Sequence, residues 1–273
     1  DFPLQYFFDV RDAIKRIRLE NTHLEESELF DLRRSLQTIN DIVRYLNRAE
    51  DKGEDVDPAP LYPALYRLTQ DVATYPQLVQ GIDQILDKFG HIRDNASPEL
   101  LNIRRELARA ESSVSKTLYS ILRSAQSEGL VDKDVTPTLR DGRLVIPVMP
   151  GMKRKISGIV HDESATGKTV FIEPSEVVEA NNRIRELESE ERHEIIRILT
   201  TFTNKVRPHS RDILESYSFL ATIDFIRAKA ELAKLTKAIE PEITDKPHVD
   251  WIQSRHPLLQ LSLEKQGKKV VPL

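Results

Sequence analysis

The 273-residue sequence contains no cysteine, which removes disulfides, thiolate metal sites and a cysteine nucleophile together and fits a reducing cytoplasm. Glycine is scarce, at nine residues beside fifteen prolines, and that composition favours long solvated helices over a compact sheet enzyme. Nowhere does an apolar run reach the roughly 18 residues that a membrane-spanning helix needs. The start, Asp1-Phe2-Pro3-Leu4, has neither a methionine nor a basic-then-apolar signal pattern. An excess of positive charge is missing too, since 44 acidic residues outnumber 40 basic ones for a formal net charge of −4. That argues against a uniformly basic nucleic-acid binder, so any phosphate-binding patch must be local. The opening residues and the closing run Lys268-Lys269-Val270-Val271-Pro272-Leu273 read as cut ends, and a piece of a longer protein is expected.

What is present is 39% hydrophobic and 31% charged residue content, enough to bury a sizeable core in one large domain or two smaller ones. Apolar residues at Leu29, Leu32, Leu36, Ile39, Val43 and Leu46 step by threes and fours, the mark of one helix face. Val10, Ile14 and Ile17 line an earlier helix, and Thr22 with Glu25 offers a capping box for the next element. Residues 51–60, with Gly53, Pro58 and Pro60, read as a loop. Shorter helical patterns come next, at Leu61, Leu65 and Leu68 and at Leu78, Ile82 and Ile85, before turns at Phe89-Gly90 and Asp94-Asn95.

Ser97-Pro98-Glu99 is a helix start, because serine accepts from the free backbone donors, proline fits the first turn and glutamate complements the dipole. Ile103, Leu107, Val114, Leu118, Ile121 and Leu122 carry that helix to about Ser127, where Gly129 ends it. The period then changes. Asp141-Gly142 between extended segments signals a hairpin, and Lys155–Val160 and Lys168–Ile172 read as two further strands joined by a polar loop from His161 to Gly167. A second long helix is expected from Ser175 or Glu176 to about Val206. Two long helices flanking a compact β unit imply an antiparallel arm with a sheet at its tip. Ile213–Ile239 reads as further helix, Pro241–Pro247 as a linker, and Val249-Asp250-Trp251-Ile252 as a strand opening something new.

Three motifs invite chemistry that their context refuses. Thr166-Gly167-Lys168-Thr169 resembles the end of a phosphate-binding loop, but Asp162 stands where the first glycine belongs and Thr169 leads into a strand instead of a helix. A hairpin loop is the better reading. His193-Glu194 lacks the second histidine of a zinc protease, since position 197 is Arg197, and reads as a solvated helix face. His161-Asp162-Glu163 reads as a turn, because three consecutive residues do not converge simply on one ion. No nucleophile elbow or paired base accompanies any serine, so no catalytic constellation, metal site or cofactor site is assigned within the chain.

The basic residues Arg140, Arg143, Lys153, Arg154 and Lys155 are the candidate nucleic-acid contacts. Between Thr136 and Gly158 they face one acid, Asp141. Clustered cations displace counterions from a phosphate backbone without reading sequence; the bland alternative is a solvated sheet face. Arg104, Arg105 and Arg109 are weaker candidates, diluted by Glu106 and Glu111. Glu176–Glu194 holds seven glutamates against three arginines and is expected to pair with the neighbouring helix.

Several segments resemble the MutS-two family, a bacterial branch of the MutS proteins. Gly158-Ile159-Val160-His161-Asp162-Glu163-Ser164, Phe171-Ile172-Glu173-Pro174 and Val177-Val178-Glu179-Ala180-Asn181-Asn182 resemble its signature in order and spacing, as do Asp94–Leu100, Val145-Ile146-Pro147-Val148 and Arg255-His256-Pro257-Leu258-Leu259. The resemblance implies a mainly α fold: a helical core (1–97), an outgoing lever helix (98–128), a β-rich clamp tip (129–175), a returning lever helix and core (176–246), and the first strands of an ATPase domain (247–273). It implies DNA, branched or duplex, or ribosomal RNA as partner, recognised by shape and backbone. It also implies a full-length homodimer that binds ATP and Mg²⁺ and carries a nuclease domain outside this chain, with a role in restraining recombination or at collided ribosomes. The rival reading is a structural module for protein contacts.

Overall fold

The computed structural model of the chain describes residues 2–4, 7–50 and 59–272; residues 51–58 of the expected loop lie outside them. The chain divides into two compact units, one of Phe7–Gln37 and Tyr75–Ser210, the other of Asp1–Tyr6, Thr38–Thr74 and Arg211–Leu273. The architecture is mainly helical with one small four-stranded antiparallel sheet, as the sequence pattern predicts.

In the first unit a short helix α1 (Arg11–Arg16) buries Ile14, flanked by buried Val10 and Ile17. Helix α2 (Glu26–Leu46), whose residues from Thr38 onward belong to the second unit, begins one turn later than the Thr22–Glu25 capping box predicts. Asn21 is left-handed, at φ 63°, and the Thr22 hydroxyl donates back to the Leu19 carbonyl at 2.7 Å, so Thr22 closes the preceding turn. Glu28 supplies the reciprocal cap instead, accepting from the Glu25 amide at 2.9 Å. The predicted stripe from Leu29 to Leu46 is buried throughout.

Two strands, β1 (Ala49–Glu50) and β2 (Ala59–Pro60), and a short helix α3 (Pro63–Arg67), all of the second unit, precede α4 (Pro76–Ile85) of the first, which buries Val79, Ile82 and Ile85. Helix α5 (Pro98–Ser127) starts at the predicted cap, with the Leu100 amide donating to Ser97 Oγ at 3.0 Å. Gly129, at φ 72°, lies just past its end. The sheet comes next: β3 (Thr138–Arg140), β4 (Arg143–Val148), β5 (Gly158–Glu163) and β6 (Val170–Pro174). A turn of 3₁₀ geometry at Ser175–Val177 leads into α6 (Val178–Val206).

Helices α5 and α6 pack antiparallel, as their polar contacts require. Ser97 Oγ donates to Glu194 at 2.6 Å, Arg104 meets Glu191 at 2.7 Å, and Arg183 meets Glu106 at 3.1 Å. Of the α6 glutamates expected to pair with basic residues of α5, Glu191 does so, whereas Glu186 and Glu190 meet Arg183 of their own helix. Glu194 departs from its solvated reading: it is buried, because the cap serine of α5 needs an acceptor where the helices cross. The hairpin is staggered, since Arg183 lies in the second turn of α6 while Glu106 is only in the third turn of α5. The second half of α5 therefore outruns its partner, and the sheet covers it. Val114, Leu118 and Leu122 of α5 form one core with Ile146 and Val148 of β4 and Val170 and Ile172 of β6. Each such fully buried aliphatic side chain stabilises the fold by roughly 2 kcal/mol.

In the second unit Tyr45 stacks on Tyr62 with centroids 6.0 Å apart, and Thr69 Oγ1 lies 2.7 Å from Asn47 Oδ1. Helix α7 (Ser210–Thr236) buries Ile213, Tyr217, Leu220 and Ile223 but leaves Phe225, Leu232 and Leu235 exposed. The strand expected at Val249–Ile252 does not form. That segment is irregular and exposed, because no described strand offers it a ladder. Beyond it the chain forms helix α8 (Pro257–Lys265), capped by His256 and tied to Lys237 by Glu264 at 2.7 Å.

Candidate nucleic-acid interface

The sheet order is β3-β4-β6-β5, every neighbouring pair antiparallel. The Asp141-Gly142 turn has both residues at positive φ, 47° and 73°, the twist that a two-residue hairpin requires. Strand β4 serves two partners in succession: residues 143–145 pair with β3, and residues 146–148 pair with β6. Where the partners change, the hairpin folds over the face opposite the α5 core. The Arg140 guanidinium lies 4.2 Å from the Phe171 ring centroid, and its Nε is 3.6 Å from Asp162 on β5. A side chain of one edge strand thus reaches the other edge, so the sheet is curled with a concave polar side.

A β-bulge furnishes that concave side. The β5–β6 register slips between Val160, opposite Ile172, and Asp162, opposite Phe171. The extra residue is His161. A bulge sends consecutive residues to the same side: Asp162 meets Arg140, and His161 Nε2 lies 2.5 Å from Glu173 Oε2. The expected turn at His161–Glu163 is accordingly a strand, and the loop shortens to residues 164–169. Inside it Gly167 sits at φ 66° and its amide donates to the Ser164 carbonyl. Thr166–Thr169 is thus part of a hairpin connection that enters β6, as its sequence context predicts.

Glu173 is the hub of this side. Its side chain is fully buried, and it accepts from Arg143 Nη1 at 2.7 Å and Asn181 Nδ2 at 2.8 Å in addition to its His161 contact. Arg143 continues to Asn182 Oδ1 at 2.6 Å, and Asn181 to the Leu144 carbonyl at 3.3 Å. Burial alone pushes the Glu173 carboxyl up; the bonds from Asn181, His161 and Arg143 overcome that and hold it below the ordinary glutamate value. Among the described residues no buried side-chain polar atom lacks a partner.

Lys153, Arg154 and Lys155 stand elsewhere. Strands β4 and β5 both run antiparallel to β6 and hence parallel to each other, so residues 149–157 must carry the chain back along the sheet. This crossover makes a tight turn at Pro150–Met152 and buries Ile156 in the α5 core, with Met152 packed against the same cluster. Between those anchors the three residues are exposed; the Lys155 amide donates to the Met152 carbonyl at 3.0 Å, while the three cationic side chains form no hydrogen bond or ion pair with another described residue. The five candidate cations therefore differ in what meets them. Two are neutralised on the concave side, and three are free on the crossover.

Sequence reasoning misses the hub itself. Its members lie in segments conspicuous for other reasons, and the one signal available is a histidine, a glutamate and an asparagine pair on elements that strand register brings together. Among the described residues no cluster of three or more metal-ligating side chains occurs, and no helix is long and apolar enough to cross a membrane.

No family model matches the chain. It is similar to proteins named endonuclease MutS2 from Geobacillus sp. and from Enterococcus faecalis, 35% identical to each over 257 residues, and to that of Halalkalibacterium halodurans at 32%. Each alignment covers 94% of this chain and 32% of the relative. The chain spans about a third of the length of the curated relatives it matches.

Proposed function

We propose, from the premise that this chain is a segment of the MutS2 family, that its first unit is a nucleic-acid clamp in which the crossover cations grip phosphates and the α5–α6 hairpin acts as the lever. The observation that carries the reading is the exposure of Lys153, Arg154 and Lys155 without an acidic partner on a segment anchored at both ends. Free cations on a fixed frame suit backbone binding, which is governed by counterion release and carries no base code. The division into core, outgoing helix, clamp tip, returning helix and the beginning of an ATPase domain is part of the same reading. The chain by itself is a scaffold and not an enzyme. In the longer cytoplasmic protein, ATP and Mg²⁺ binding, cleavage and homodimer formation belong to residues outside it, and the clamp serves to restrain recombination or to act on the ribosome.

The test is a salt series on this chain with a fluorescent four-way DNA junction. Reversing Lys153, Arg154 and Lys155 to glutamate is expected to weaken binding and to flatten the log–log salt dependence by roughly three units, about 0.9 for each phosphate no longer neutralised. An unchanged slope refutes the assignment. Repeating the titration with ribosomal RNA separates the two nucleic-acid partners.

A protein-contact reading draws on a different observation, the exposure of Phe225, Leu232, Leu235, Trp251 and Ile252 in the second unit. Failure of the chain to shift the junction at low salt favours it.

A further inference from the structure

We propose that Glu173 and its donors form the joint through which α6 holds the basic crossover in its gripping position, so that His161, Asn181 and Asn182 are positioning residues for phosphate binding although none of them is a free cation. The inference rests on the clamp reading above and adds to it the way the grip is controlled.

The covalent path away from the cations leads straight to this joint. Lys155 is succeeded by Ile156, buried in the α5 core, and then by Ser157 and Gly158. Ser157 is bonded twice to the junction between β6 and α6. The Ser175 amide donates to the Ser157 carbonyl at 3.0 Å, and the two hydroxyls lie 2.9 Å apart. Gly158 pairs with Pro174, and its backbone packs so closely on β6 that an added Cβ would sit 2.2 Å from the Glu173 carbonyl oxygen. The downstream end of the basic segment is therefore seated on residues 173–175, which lead directly into α6.

The hub fixes that same junction from the other side. Asn181 and Asn182, in the first turns of α6, are bonded to Glu173 and to Arg143, while His161 binds Glu173 from β5. Four elements, β4, β5, β6 and α6, thus meet on one carboxylate or on the arginine paired with it. A buried ion pair is weak grounds for claiming stability, since apolar packing serves as well or better. What a fully satisfied network does supply is one fixed geometry. A tilt of α6 must either carry the 157–158 end of the crossover with it or break these bonds.

The experiment uses this chain with the fluorescent four-way junction, and it reads affinity and salt slope. Asn182→Ala removes one link at an exposed position. His161→Ala removes a second, and His161→Gln restores a donor. With all three cations still in place, Asn182→Ala and His161→Ala are expected to weaken binding about tenfold and to flatten the slope by roughly one unit, because a mis-set crossover engages fewer phosphates at once. His161→Gln is expected to recover both. Partial unfolding would instead lower the apparent affinity by the same factor at every salt concentration and leave the slope unchanged. The joint is refuted if both alanine variants bind with the original affinity and slope, or if they lose affinity with no change of slope. If reversing Lys153, Arg154 and Lys155 also leaves binding unchanged, the clamp reading falls and the joint falls with it. Weaker binding on charge reversal, with the alanine variants binding as the parent does, sinks the joint only.

Discussion

Arg140 and Arg143 carry the same charge as Lys153, Arg154 and Lys155 and lie in the same short stretch of chain, yet the fold gives the two groups opposite surroundings. Arg143 is 15% exposed and paired with a fully buried glutamate. Arg140 lies over an aromatic ring beside Asp162. The three crossover cations are exposed, and their side chains have no acidic partner among the described residues. Charge counted along a sequence is therefore a poor guide to charge offered to a ligand. The acids that neutralise Arg140 and Arg143 arrive from β5 and β6, which are made later in the chain, and only strand pairing brings them together.

The contrast is broken most forcefully at Glu173. Glu173→Gln keeps the shape but leaves Arg143 without its counter-charge, and removing one member of a buried pair costs about 3–5 kcal/mol. Urea unfolding should register that destabilisation, whereas charge reversal at the crossover should not produce it. The pH dependence has a definite sign. Because the folded carboxyl titrates below its unfolded value of 4.5, its contribution is fully present above the ordinary glutamate range. It is lost as the pH falls through the lowered folded value. Glu173→Gln should flatten that acid limb; an unaltered limb would mean that the hub is not ionised in the fold.

Gly158→Ala probes the same comparison from the backbone side. The new methyl group would meet the Glu173 carbonyl oxygen at 2.2 Å and Ile172 Cγ2 at 2.9 Å. Backbone cannot yield as a flexible side chain can, so the expected cost is about 2 kcal/mol. Hydrogen exchange should then rise across residues 157–175 and stay unchanged in α4.

Much of this fold is legible in local pattern. Periodicity reveals α2, α5 and α6 because each buries one continuous stripe, and Ser97 and Asp141-Gly142 announce their cap and turn through chemistry that acts within three residues. The misreadings share a different cause. Thr22 points to the wrong element because a capping side chain can serve the end of one turn or the start of the next. Val249–Ile252 has strand composition but no ladder among the described residues. His161 and Glu194 read as a turn and a solvated face because their partners, Glu173 and Ser97, come from other elements. The candidate interface is half legible: which residues are basic can be read, and which of them are free cannot.

The smallest effect tests the comparison most sharply. Arg140→Ala removes a ring contact and an ion pair that are both partly exposed, and each is worth at most about 1 kcal/mol. Arg154→Ala removes no hydrogen bond or ion pair at an exposed position, so its stability should stay within about 0.5 kcal/mol of the parent. The binding ranking should be the reverse. Arg154→Ala is expected to lower the salt slope by about 0.9, the value for one phosphate contact, while Arg140→Ala leaves the slope alone, because a guanidinium already facing Asp162 releases no counterion from nucleic acid. Thermal melts and a salt titration on the two variants give four numbers, and the division of the five cations stands only if stability and binding rank them in opposite orders.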